Sequence, residues 1–353
     1  MADNESILTL DGAYGEGGGQ IIRSALTLAA LTGRPVRWER IRAGRKKPGL
    51  RPQHLTAVRA SARICAATLT GDALDSQTLT FTPGSPPLAG DYTFDVRDAA
   101  AGGSAGAATL VLQTLLLPLA LAHGPSRITL KGGTFVPWSP PAPYLEQVYL
   151  PMLTRMGVAV EFEHSQWGFY PRGGGELEVH LPGKALVLPL TIQERGALME
   201  IRGMAFAAQL PSHIPQRMCD RARGLLQSLR TRVDIQPLHI RADSPAAGLF
   251  LLARYEHSLA GFSALGRKGL PAEEVAAQAS TALLEHHATA ATLDECLADQ
   301  LALPLALAGV PTRITVANVT QHLLTQAWVI NHFLPGTLHI EGVTGQPGAL
   351  VIV

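Results

Sequence analysis

The sequence predicts a mixed α/β (α+β) chain. A large domain of three repeated units, each a small sheet covered by two helices, is interrupted by a smaller inserted domain. Three observations carry this. Leu117–Thr134, LPLALAHGPSRITLKGGT, aligns without gaps on Leu303–Thr320, LPLALAGVPTRITVANVT, with 11 of 18 positions identical. The same helix-to-strand corner occurs a third time, because Ala30, Leu31, Pro35 and Arg37 match Ala120, Leu121, Pro125 and Arg127, and then Ala306, Leu307, Pro311 and Arg313. Between the second and third copies, residues 183–289 break the pattern.

Each corner sits in a unit of helix, strand, helix, strand, strand. The first unit (about 1–97) has helices over 20–32 and 52–69 and strands at 36–41, 77–82 and 91–97. The second (98–182) has helices near 104–122 and 143–156 and strands at 127–131, 158–163 and 176–181. The third (290–353) has helices near 293–308 and 321–333 and strands at 313–317, 337–342 and 349–353. The inserted stretch reads as strands at 185–193 and 198–207, a helix at 212–229, three strands between 233 and 265, and a helix at 271–288. The Pro-rich segments Pro83–Pro87 and Pro137–Pro143 read as loops inside units.

Composition narrows the function. With 353 residues, two domains are expected. A hydrophobic fraction of 46% against 16% charged residues argues for a filled core. A net charge of +1 leaves nucleic-acid contact to local clusters. The longest apolar run, Leu110–Ala122, contains Gln113, Thr114 and Pro118, so no membrane span is expected. The first residues show no signal-peptide pattern. Cys65, Cys219 and Cys296 are far apart and odd in number, which suggests free thiols in a reducing cytoplasm.

Residues 11–33, DGAYGEGGGQIIRSALTLAALTG, read as strand, glycine loop, helix. Ile22, Ala25, Leu26 and Ala29 keep helical spacing. The loop matches neither GxGxxG, where Gln20 takes the last position, nor GxxxxGK[ST], where Gly18 stands in place of lysine. It is either a phosphate-approaching helix start or a turn that packs helix on sheet. Glu16, alone among four glycines, is poorly placed for packing and suits a metal or a polarised water.

The repeat makes the loops after the second strands equivalent. The first, IRAGRKKPGLRPQH, carries Arg42, Arg45, Lys46, Lys47, Arg51 and His54. The second is KGGTFVPWSPPAP, and the third, ANVTQHLLT, holds His322 at a helix start. If the units pack around a pseudo-threefold axis, cations for phosphates, apolar surface for a base and a histidine share one cleft. The basic run has a second reading, a solvated face, although Gly44, Pro48 and Gly49 keep it a loop. His286 and His287 fall on a surface helix in this reading. Gln113, Asp299 and Gln300 lie on nearly all-apolar repeat helices, as satisfied core groups or as a site lining.

Together, EGGGQIIRSALTLAALTG, IRAGRKKPGLRPQHL, FYPRGGGELEV, CLADQLALPLALAG and TQHLLT resemble the RNA 3′-terminal phosphate cyclase family, from about Asp11 to the C-terminus. The resemblance implies repeats like the C-terminal domain of bacterial translation initiation factor three, with a thioredoxin-like insert. It implies ATP-dependent conversion of an RNA 3′-phosphate to a 2′,3′-cyclic phosphate, through a histidine–AMP intermediate on His322 and an RNA-adenylate. It implies ATP, RNA with a 3′-phosphate end and a divalent metal (Mg²⁺ or Mn²⁺) as ligands, and it leaves a homodimer open. Carried over position by position, Glu16 matches the metal-contacting carboxylate, and Gln20 and Arg23 the polar residues of the glycine loop. Arg23, Arg42, Arg45, Gln53 and His54 would hold the RNA-end phosphates. Gln113, Pro137, Cys296, Leu297, Ala298, Asp299 and Gln300 would line the ATP and adenylate site. Cys296 stands where an aromatic residue is common, which weakens the stacking expected of the base. The alternatives are a non-catalytic relative, which would lack the histidine, and an enolpyruvyl transferase, which would not need the LADQ and TQHLLT blocks.

Overall fold

A computed structural model of the chain describes residues 7–99 and 104–353. The first sheet has the order β1 (Leu8–Asp11), β2 (Val36–Glu39), β4 (Leu79–Thr82), β3 (Thr68–Thr70). Strands β1 and β2 are parallel, and the rest pair antiparallel. Its helices are α1 (Gln20–Thr32) and α2 (Pro52–Ile64). The buried side of α1, Ile21, Ile22, Ala25, Leu26, Leu28 and Ala29, enters the main core with Trp38 and Phe81.

The second sheet repeats that order: β5 (Asp91–Asp95), β6 (Ser126–Gly132), β8 (Gly175–Leu181), β7 (Glu161–Gln166). Strand β5 runs parallel to β6. The chain thus leaves the first sheet at Thr82, and the strand expected at 91–97 opens the second sheet and ends at Asp95. Local sequence specifies a strand but not its partner. Helix α3 (Ala108–Leu121) lies between β5 and β6. The helix expected at 143–156 is α4 (Ala142–Tyr144), a π-helical stretch over Leu145–Tyr149 and α5 (Leu150–Arg155).

The strand expected at 185–193 does not form. The segment is a connector whose N–H groups bond to carbonyls at helix ends, Ala185 to Ala120 in α3 and Leu188 to Met156 after α5. Pro189 brings no donor, and Leu190 and Ile192 are buried as side chains only. The inserted region is β9 (Leu198–Ala208), α6 (His213–Leu226), β10 (Arg232–His239), β11 (Ala246–Tyr255), β12 (Leu259–Leu265) and α7 (Ala272–Thr289). Its sheet order is β10-β9-β11-β12, with β10 parallel to β9 and the other pairs antiparallel, the thioredoxin-like arrangement. Helices α6 and α7 bury one face through Met218, Ala222, Val275 and Leu283, while Phe206, Phe250 and Leu252 join the main core.

The last unit holds α8 (Glu295–Ala308), β13 (Thr312–Val316), α9 (Gln321–Phe333), β14 (Leu338–Glu341) and β15 (Gly348–Ile352), in sheet order β13-β15-β14. Leu293 bridges parallel to Val316, a remnant of the opening strand of the other two units. Helix α1 packs on α2, α3 and α9. The loops leaving β1, β2, β5, β6 and β13 therefore lie at the carboxyl ends of their strands, beside the starts of these helices. His286, expected on a surface, is instead 4% exposed and packs near Tyr255 and Phe262. Arg195 caps the end of its helix by donating to the His286, His287 and Ala291 carbonyls. Among the described residues no helix is long and apolar enough to cross a membrane.

Candidate active site

The glycine loop is fastened to α9. Gly15 has φ +57°, and a Cβ there would stand 2.5 Å from Thr325 Oγ1 and 3.0 Å from Gln321 Nε2. Tyr14 stacks on Trp328 with ring centroids 4.1 Å apart and 11° between planes. Deeper in, Gln326 Oε1 accepts from Gln20 Nε2 at 3.1 Å and from the Ser24 hydroxyl. Gln20 is thus a buried strut between α1 and α9.

This clamp delivers Glu16 to His322. Glu16 Oε2 lies 2.9 Å from His322 Nδ1 and 3.2 Å from Arg45 Nη2. His322 occupies the first turn of α9, whose N-cap Thr320 accepts from the Leu323 N–H at 2.9 Å. A carboxylate only accepts, so in the neutral ring the proton sits on Nδ1 and Nε2 keeps its lone pair. The His322 side chain is 44% exposed, which leaves room for a reacting partner.

A second imidazole lies behind Gly19. His54 Nδ1 accepts from the Arg51 backbone N–H at 3.1 Å, so its proton sits on Nε2. Burial, then Arg23, Arg42 and Arg51, hold its pKa well below the usual imidazole range, and the ring is neutral. A Cβ on Gly19 would collide with His54 Nε2 and come within 2.9 Å of Arg23 Nη1. The bare glycine thus leaves a cradle where His54 Nε2–H, the Arg23 guanidinium and the unpaired N–H groups opening α1 meet. Burial lowers the Arg23 pKa to about 10, opposed by Asp299, and the side chain stays cationic.

Besides Arg45 on Glu16, Arg51 pairs with Asp75, and Arg42 and Gln53 are engaged by backbone groups. Arg42 Nη1 donates to the Lys47 and Gly49 carbonyls at 2.8 and 2.9 Å, holding the loop in shape. Gln53 Oε1 accepts from the Ala107 N–H at 3.0 Å, which fixes the start of α3 against α2. Further along α3, Gln113 neighbours Thr114, whose carbonyl accepts from Thr27 at 2.9 Å.

The LADQ block on α8 brings Asp299 against the N-cap of α9. Asp299 Oδ1 is 3.4 Å from the Thr320 hydroxyl. Burial, and less strongly Glu295, Glu16 and Asp294, push its carboxyl well above the usual range, while the Thr320 hydrogen bond pulls it down. Gln113 Nε2 and both amide atoms of Gln300 are buried without a hydrogen-bond partner. Such groups cost free energy unless something pairs them. Leu297 and Ala298 are buried, and Cys296 and Pro137 are exposed. The segment that carries Pro137 is tied at its two ends, where Gly133 bridges Ala107 and Tyr144 donates to Asp294 Oδ1 at 2.8 Å. Trp138, expected as part of an apolar wall, is 99% exposed.

The basic loop and the histidine therefore meet at Glu16, and the apolar loop contacts the starts of α3 and α8. The Tyr14–Trp328 and Ser24–Gln326 contacts lacked any signal in one sequence, since each joins segments some three hundred residues apart. Among the described residues no group of three His, Cys, Asp or Glu side chains can hold an ion by itself.

Fold and cleft together define a repeat-built α/β protein with a cationic, histidine-centred site. The family model for RNA 3′-terminal phosphate cyclase matches residues 14–340. A protein of that name from Gloeothece citriformis is 52% identical over 93% of this chain and 93% of its own length. Those from Nostoc punctiforme and Methylococcus capsulatus are each 54% identical, over 93% of this chain and 94% and 91% of their own lengths. The solved enolpyruvyl transferase NikO from Streptomyces tendae aligns with 98% of this chain and 48% of its own, at 11% identity and a TM-score of 0.36. The chain belongs to the RNA 3′-terminal phosphate cyclase family.

Proposed function

We propose that this protein converts an RNA 3′-terminal phosphate to a 2′,3′-cyclic phosphodiester at the cost of ATP, with His322 as the covalent relay. The observation that carries the reading is the Glu16 Oε2–His322 Nδ1 contact of 2.9 Å, which holds the ring proton away from Nε2. Nε2 attacks the α-phosphorus of ATP, the bond to the bridging oxygen breaks, and pyrophosphate leaves. Glu16 stabilises the positive charge that the ring gains. An RNA 3′-phosphate oxygen then attacks the phosphoramidate phosphorus. The N–P bond breaks, the imidazole is restored, and AMP sits on the RNA end. The ribose 2′-oxygen attacks the RNA phosphorus, loses its proton, and expels AMP. Adenylation is needed because a phosphate monoester has no adequate leaving group of its own.

The cradle of His54 Nε2–H, Arg23 and the start of α1 suits the RNA phosphate. The partnerless amides of Gln113 and Gln300 suit the polar edges of a nucleotide. Glu16 would hold a divalent cation with help from the substrate phosphates, in keeping with the habit of Mg²⁺ of using one or two carboxylates plus phosphate oxygens. When bound, it would offset the charge of the triphosphate and of the leaving pyrophosphate. Incubation with α-labelled ATP and a divalent metal tests the reading. Wild type should carry covalent label that His322→Ala lacks, and an unlabelled wild type or a labelled variant would overturn it.

A further inference from the structure

The FYPRGGGE block carries no role in the chemistry above. It forms the turn between β7 and β8, and Gly175 pairs with Gly132 at the carboxyl end of β6. The turn thus lies at the same end of the second sheet as the loop leading to Pro137. Arg172 Nη1 reaches the Asp243 carbonyl at 3.4 Å, and the Arg172 N–H donates to Ser244 Oγ at 3.3 Å. On the other side, a Cβ at Gly173 would lie 3.3 Å from the Ala105 Cα. Ala105 is two residues from Ala107, whose N–H is held by Gln53. One short stretch of chain therefore separates this turn from the starts of α2 and α3.

Between the turn and the inserted sheet is a cavity of about 500 Å³, lined by residues that include Trp167, Gln166, Arg241 and Asp243. Trp167 is half-buried, backed by Phe169 at 5.9 Å and Phe206 at 5.0 Å between ring centroids. Tyr170 is 70% exposed beside it. Arg172 and Arg241 are exposed and form no ion pair with a carboxylate among the described residues. A rigidly backed aromatic surface, the Arg241 guanidinium and the Asp243 carboxylate in one hollow, with Arg172 on the adjoining turn, match what an unstacked RNA nucleotide requires.

We infer that this cleft is a subsite for a nucleotide upstream of the 3′-terminal phosphate, its base against Trp167 and its backbone phosphate against Arg241 and Arg172. The inference rests on the function proposed above. It gives the inserted domain a part in substrate binding, because Arg241 and Asp243 come from the β10–β11 connection.

The test is binding of 3′-phosphorylated RNAs of one to five nucleotides, each competing with a fluorescent five-nucleotide RNA for the full-length protein. Wild type should gain about tenfold in affinity at the length that first fills the cleft, the scale of one stacked base. Arg241→Ala, at an exposed position, should lose most of that step and reduce the salt dependence of the longer RNAs by about one phosphate contact. Trp167→Phe should shrink the step while keeping the aromatic cluster filled. A wild type without a step, or variants that keep its full size, would overturn the subsite. Covalent labelling from ATP on the same preparations reports the catalytic reading separately, since it requires no RNA.

Discussion

Replacing Glu16 by Gln and by Ala separates the tasks the carboxylate could perform. In the structure, Oε2 accepts from His322 Nδ1 at 2.9 Å and from Arg45 Nη2 at 3.2 Å. Glu16→Gln keeps an acceptor for Nδ1–H but loses the charge that stabilises the developing imidazolium. A hydrogen bond to a charged group contributes about 1.5–3 kcal/mol when sheltered. Glu16 is 37% and His322 44% exposed, so solvent screening lowers the expected value to about 1 kcal/mol, or about fivefold in rate. Glu16→Ala also frees the ring to rotate and to change tautomer, and should lose tenfold or more. The assay is single-turnover formation of the covalent AMP adduct at saturating ATP, repeated across a metal titration. Wild-type rates in both variants would refute the idea that Glu16 orients His322. A defect of Glu16→Ala that is largest at low metal supports a shared cation, and an unchanged metal dependence removes that role.

Two further predictions follow from particular contacts. Gly15→Ala places a methyl 2.5 Å from Thr325 Oγ1 on a left-handed backbone, so it should lift the loop off α9 and slow adduct formation about tenfold while the thermal midpoint falls only modestly; an unslowed adduct would show that the clamp does not set the geometry. Asp294, 3% exposed, has its carboxyl pushed up from 3.8 to about 6, chiefly by burial. The folded state keeps a proton there that the unfolded chain has released, so stability falls as pH rises from about 4 to about 6, by about 3 kcal/mol once fully ionised. The urea-unfolding free energy of wild type minus that of Asp294→Asn should decline by that amount across the window, and a constant difference would contradict it.

The repeat was legible because its corners are set by local chemistry. A proline after each repeat helix and an arginine opening each strand recur at fixed spacing, and α1, α8, β13 and α9 lie within two residues of their expected bounds. Pairing was less legible. Asp91–Asp95 has strand character, but its assignment to the second sheet depends on β6, some thirty residues on. Residues 185–193 are apolar enough for a strand, yet Pro189 and the carbonyls at the ends of α3 and α5 keep them outside any ladder. In the site, residue types pointed to phosphate chemistry, but engagement by neighbours could not be read from one sequence. Gln53 was expected to face RNA phosphate, and its Oε1 accepts from Ala107. Arg42 was expected there too, and part of its guanidinium holds its own loop.

The repeat also explains how one residue type serves two tasks. His54 and His322 stand in the first turns of α2 and α9, the second helices of the first and third units. The frame is shared, but the partner at Nδ1 differs. A backbone N–H can only donate, so His54 receives it at Nδ1 and presents Nε2–H. Burial among arginines keeps that ring neutral. It is therefore a donor to an anion and has no free lone pair at Nε2. A carboxylate can only accept, so Glu16 accepts the hydrogen bond from His322 Nδ1–H and leaves the Nε2 lone pair of the neutral ring free. That ring is the one the proposed reaction uses as nucleophile. The glycine loop governs both: Gly19 leaves space for the first imidazole, and Glu16, three residues earlier, orients the second. A change that swapped the partners at Nδ1 would exchange donor and nucleophile without moving either helix, which is why the fold alone does not specify the chemistry.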